Sequence, residues 1–194
     1  MRFGRTPRRS SASRSRILIG RFAADRGGVA ATEFAFIVPL MLVMFFGTVE
    51  FCSAIAVDRK VTLMARTLSD LTSQSNSVGD TDISNFFAAS TGIMYPYSTT
   101  PVNATITELY VDPTTKQATV VWSKGSAPRT VGVTVGVPAD LLVTGTYLIF
   151  SEVNYQYVPT VGYVMAKTGI KLSDVAYTRP RQSTCVYYSP KTSC

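Results

Sequence analysis

The chain has 194 residues, is 46% hydrophobic, carries a formal charge of +7 and contains no histidine. That length suits one modest domain with an appendage, and the lack of histidine removes imidazole acid–base catalysis and imidazole metal sites. The charge excess sits wholly before Val29, so the body of the chain offers no broad basic face for nucleic acid.

The first 28 residues hold Arg2, Arg5, Arg8, Arg9, Arg14, Arg16, Arg21 and Arg26 against Asp25 alone. The opening "MRFGRTPRRSSASRSR" is rich in Arg and Ser and has no acid, the composition of a solvated, unpacked segment. Between Glu33 and Glu50 there is no charge. From Phe34 through Ala56 the run is about 23 residues, roughly 34 Å as a helix, which suffices to span a bilayer. A buried core helix is seldom apolar on every side for so long. Arg-rich sequence precedes the run, whereas Asp58, Arg59, Lys60, Arg66 and Asp70 balance beyond it, which places the N-terminus on the cytoplasmic side.

Three fates are open to such a terminus. Signal peptidase could cut after "SAIA", where Ala54 and Ala56 give the small-residue pattern. The Arg/Ser head also has the composition of an organellar transit peptide. The third fate gives Glu33 a purpose. A cut between Gly28 and Val29 creates an ammonium on Val29, and Glu33 lies one helical turn above it, on the same face. A carboxylate in the first turn also suits the helix dipole, and charge near hydrocarbon needs a partner. Two glycines before the cut resist helix formation and favour extended backbone. The plainer reading is that Gly27 and Gly28 form a hinge and Glu33 is an interfacial charge.

The run "RGGVAATEFAFIVPLMLVMFFGTVEF", Arg26 to Phe51, resembles the N-terminal segment of TadE/TadF-like pseudopilins, minor pilin-like proteins of bacterial tight-adherence (Flp-type) pilus systems. The resemblance implies a leader removed by a prepilin peptidase, a membrane-bound aspartic protease acting on the cytoplasmic side. Gly28 would end the leader, Val29 would begin the mature chain, and Glu33 would be the glutamate at mature position five; our own expectation is that Val29 with Glu33 sets register against neighbouring stems. Pro39 and Glu50 also fall where the family has a proline and a glutamate, whereas the long Arg-rich head is a departure.

Past the apolar run, Val57, Val61, Met64, Ala65, Leu68 and Leu71 recur at helical spacing, so an amphipathic stem continues the helix. "SQSNSVGD" breaks that periodicity. A short helix follows from Asp82 as its cap, with Ile83, Phe86, Phe87 and Met94 on one side. Thr105–Val111 and Ala118–Ser123 flank "DPTTK" as a hairpin. Val131, Val133, Val135 and Val137 alternate like a strand with one buried face. Thr146–Pro159 and Leu172–Tyr177 are further strands. The expected fold is α+β, a long N-terminal helix followed by a small, mainly antiparallel sheet. Tyr155, Tyr157 and Tyr163 read as sheet packing sooner than as a binding surface.

Cys52 lies in the apolar run as a small apolar residue, while Cys185 and Cys194 in the tail can pair if that tail reaches an oxidising periplasm. Pinned C-terminal loops are common in pilin-like heads. Neither a phosphate-binding glycine loop nor a zinc-type cysteine spacing is present, so no cofactor or metal is expected. Nothing in the spacing of Glu108, Asp112, Asp140 and Glu152 selects a catalytic pair, and they read as solvated or turn-forming acids. Enzymatic activity is not expected.

The resulting expectation is a pilus biogenesis component with a cytoplasmic leader (1–28), a stem helix (29–75) and a periplasmic head (76–194). Its implied partners are the prepilin peptidase, other pilins and pseudopilins, the inner-membrane assembly machinery and the membrane itself, with no nucleic acid. The competing readings are an uncleaved, signal-anchored binding domain and a secreted domain released after Ala56.

Overall fold

The structure, a computed structural model, describes residues 27–159, 169–191 and 194. The chain divides into two compact units, Met1–Phe46 and Gly47–Cys194. Helix α1, Gly27–Ser73, begins in the first unit and continues into the second.

In the first unit the helix is apolar on all sides, and Phe34, Phe36, Ile37, Leu40, Met41, Val43 and Phe45 are exposed. Pro39 lies within the helix. The described residues contain one helix with a stretch long and apolar enough to cross a membrane. The glycines do not hold the backbone out of the helix as their propensity suggested, because α1 starts at Gly27.

In the second unit the remainder of α1 lies on a five-stranded antiparallel sheet. Val57, Val61, Met64, Ala65 and Leu68 are fully buried against it. Leu71 is only half-buried, and Ser69, Thr72 and Ser73 complete the buried stripe instead. Short hydroxyl side chains allow close approach of helix and sheet while satisfying buried polar groups. Ser69 Oγ donates to Thr178 Oγ1 at 2.7 Å, and Ser151 Oγ donates to the Ala65 carbonyl at 2.6 Å.

After β1 (Ser77–Val78), helix α2 spans Asp80–Thr91. It begins two residues before the sequence reading placed it. Asp82 still caps it, from the third helical position, by accepting the Gly79 N–H at 2.9 Å. Ile83 is buried, Phe86 and Phe87 pack against the core, and Met94 is buried in the 3-10 turn Gly92–Met94. Lys60 Nζ ties that turn to α1 by donating to the carbonyls of Ile93 at 2.8 Å and Tyr95 at 2.9 Å.

The sheet comprises β2 (Val102–Val111), β3 (Ala118–Gly125), β4 (Thr134–Val135), β5 (Tyr147–Tyr157) and β6 (Ile170–Thr178), in the order β4-β3-β2-β5-β6. Asp112 makes the β2–β3 turn, its Oδ1 accepting the N–H groups of Thr114 and Thr115. The strand expected over Val131–Val137 shrinks to Thr134–Val135. Only Val135 is buried, while Val131 and Val133 are exposed, because β3 offers them an edge without a covering layer. Alternation alone carries no information on whether a layer lies above the strand.

Residues of opposite parity line the two faces. Ala104, Ile106, Ile149, Val153, Tyr155 and Tyr157 meet the helices, and Leu109, Val111, Leu148 and Phe150 form a second cluster on the far face with Val120 and Val135. Tyr155 and Tyr157 therefore serve packing, while Tyr163 lies outside the described residues. The architecture is α+β, a long N-terminal helix followed by a mainly antiparallel sheet.

Candidate assembly surfaces

Gly28 and Val29 lie in the first turn of α1, and both are exposed. Thr32 Oγ1 donates back to the Val29 carbonyl at 2.8 Å, and Glu33 is exposed one turn above Val29. Among the described residues the arrangement is a helix end with a carboxylate in its second turn and no covering layer. Chemically it can do two things: enter hydrocarbon or a bundle of similar helices through its apolar sides, and offer Glu33 to a cation.

Glu50 interrupts the apolar run in the second unit. Tyr157, at the end of β5, donates its phenol to Glu50 Oε2 at 2.8 Å. Burial first, and then this carboxylate, push the Tyr157 phenol up to about 12. The sheet thus holds the polar residue of an otherwise apolar stretch.

The other closely built region is the C-terminal tail. Cys185 and Cys194 form a disulfide with Cα atoms 5.8 Å apart, and Cys185 and Val186 are buried. Beyond them β7 (Tyr187–Tyr188) pairs in parallel with β1. Upstream, the Arg181 N–H donates to the Ser73 carbonyl at 2.9 Å, and the Arg181 guanidinium meets Asp70 at 2.6 Å, so the Arg179–Arg181 segment ties the tail to α1.

Val186 is gripped at both of its peptide groups. Its N–H donates to Glu108 Oε1 at 2.6 Å, and its carbonyl accepts the Trp122 indole N–H at 2.7 Å. Both gripping side chains come from a β-bulge. Glu108 opposes Trp122 and Leu109 opposes Val120, so Val121 is the extra residue. That insertion reverses the alternation in β3 and brings Trp122 onto the face of Glu108. At the rim, Lys124 Nζ sits 4.5 Å from the Tyr188 ring centroid and 3.2 Å from Asp80 Oδ1, and the Tyr188 hydroxyl also bonds Asp80. Hydrogen bonds from Tyr188 and Lys124 hold the Asp80 carboxyl below its ordinary value.

Glu108 corrects the reading of the acids as solvated or turn-forming. It is fully buried, one carboxylate oxygen has no hydrogen-bond partner, and burial raises its pKa from 4.5 to about 7. The available signal was parity: Glu108 follows Ala104 and Ile106 at spacing two, on the inward face of the expected strand. Of the remaining acids, Glu152 pairs with Arg129 at 2.6 Å and Asp140 is exposed.

No curated protein and no solved structure matches the chain. One family model does, over the segment that holds Gly28, Val29, Glu33, Glu50 and the buried stripe as far as Leu68. Residues 28–68 match the TadE-like protein family, which supports a TadE-like, pilus-related component of the Tad system with a candidate apolar membrane helix.

Proposed function

We propose that this protein is a pseudopilin-like assembly component, processed by a prepilin peptidase and acting by protein–protein packing. The carrying observation is that the TadE-like match begins at Gly28, the residue before the expected cut. In this reading the Arg-rich leader keeps the N-terminus in the cytoplasm, since basic residues stay inside. Cleavage after Gly28 frees the Val29 ammonium, which Glu33 of the same or a neighbouring stem compensates. The apolar part of α1 resides in the inner membrane and packs with other pilins, pseudopilins and the assembly machinery. The head then stands in the periplasm, where the Cys185–Cys194 disulfide persists. No catalytic step is assigned to any of its residues.

The test is the N-terminal sequence and intact mass of the protein recovered from native membranes, with and without an active prepilin peptidase. A start at Val29 that disappears without the peptidase is the expected result. A start at Val57, or an intact basic head in cells with the active enzyme, overturns the reading.

A further inference from the structure

The tail is held by a carboxylate that burial leaves half satisfied. Glu108 Oε1 accepts the Val186 N–H, while Oε2 is buried without a partner. Glu108 borders a cleft of about 290 Å³ beneath the tail, whose walls include Trp122, Tyr188 and the disulfide. The charged groups around it do not compensate an ionised Glu108. On β3, Lys124 is committed to Asp80 of α2 and the Tyr188 ring. On the tail, Lys191 is exposed at the cleft rim, which Tyr187 and Tyr188 also line. From β5, Tyr147 contributes another phenol, itself pushed up by burial first and then by Glu108. A neutral carboxyl can still accept from Val186 through its carbonyl oxygen, and although an ionised one keeps the hydrogen bonds from Val186 and Trp122, the cost of burying its charge outweighs them until water reaches Oε2.

We propose that Glu108 is a proton-controlled latch for the tail segment Cys185–Tyr188: protonated, it clamps that segment over Trp122, and ionised, it favours lifting of the segment to admit water. Arg181, bonded to Ser73 and Asp70, anchors its upstream end to α1.

The sign follows from linkage. The docked state binds the proton more tightly than the lifted one, so docking is strongest below pH 4.5 and weakens as pH rises through about 7, beyond which it is level.

The experiment is amide hydrogen exchange on the full chain in detergent micelles from pH 4.5 to 8, comparing wild type with Glu108→Gln. The amide keeps an acceptor for Val186 but cannot ionise. The Val186 protection factor, corrected for intrinsic exchange, should fall about tenfold per pH unit in wild type up to about pH 7. It should stay constant in Glu108→Gln, while the amides of β2 and β5 keep their protection in both proteins. Emission from Trp122, the sole tryptophan, should shift to the red over the same range in wild type. A pH-independent wild-type protection factor and emission would sink the latch, whether or not the variant folds. Parallel loss of protection in Glu108→Gln, or loss across β2 and β5 together with Val186, would overturn it equally.

Discussion

Trp122 and Glu108 are cross-strand partners that grip one peptide of the tail from both sides, the indole on the Val186 carbonyl and the carboxyl on its N–H. The bulge at Val121 makes this pairing possible. Trp122→Phe removes the indole donor and leaves the Val186 carbonyl buried without it. A loss of about 1–3 kcal/mol in the unfolding free energy follows. Denaturant titration monitored by circular dichroism measures it, since the variant has no tryptophan.

Gly125 closes β3 at φ +138°, and a Cβ there would lie 2.2 Å from the Ala104 carbonyl oxygen. Backbone has no rotamer by which to move aside. Gly125→Ala should therefore cost roughly 2–4 kcal/mol, whereas Gly136→Ala, where the added carbon meets open space, should change stability by less than about 0.5 kcal/mol. Thermal midpoints of the two variants provide the comparison.

Leu68 is fully buried on the sheet-facing stripe of α1, and Leu63 on the same helix is 52% exposed. Truncating Leu68 to Ala leaves a cavity and should cost about 2–5 kcal/mol. Leu63→Ala should have little effect on unfolding of the sheet. An equal loss in both variants, measured by chemical denaturation, would contradict the packing of α1 on β5.

The Tyr157 phenol, raised to about 12, is kept protonated by burial and by its bond to Glu50. A raised phenol stabilises the fold below its ordinary value near 10, and that contribution is lost as pH rises through about 12. In an alkaline absorbance titration one late-ionising phenol should be present in wild type and missing from Tyr157→Phe.

Glu33→Ala tests the proposed assembly role. The side chain is exposed on α1, so the fold of the head should not change. Pilus formation or surface attachment should fall, and normal piliation in this variant would count against a compensating charge at Glu33.

Much of the architecture was legible because the signals were periodic or continuous. The long apolar run from Phe34, broken by Glu50 alone among charged residues, and the spacing of Val57, Val61, Met64 and Leu68 announce α1 without tertiary information, and Asp112-Pro113 marks the hairpin. What the sequence hides depends on chain-distant neighbours. Val131 and Val133 alternate as well as any strand, yet no layer among the described residues covers them. Val121 leaves no local signature of a bulge, and so the meeting of Trp122 and Glu108 could not be read. The β1–β7 pair joins residues more than a hundred positions apart, in segments only two residues long. For Gly28, Val29 and Glu33 the sequence supplied chemistry and spacing, while α1 shows only where those residues stand.

The parallel pairing of Tyr187–Tyr188 with Ser77–Val78 gives the head a built-in order of completion. Val186, Tyr187 and Tyr188 dock against the segment just after the stem and against the bulge of β2 and β3, so every partner they need precedes them in the chain. A ribosome that stops short of Cys185 yields a chain with most of its sheet but with Trp122 and Glu108 bare. The cover over the bulge is therefore the latest part of the head to form, laid down only once the strands beneath it exist.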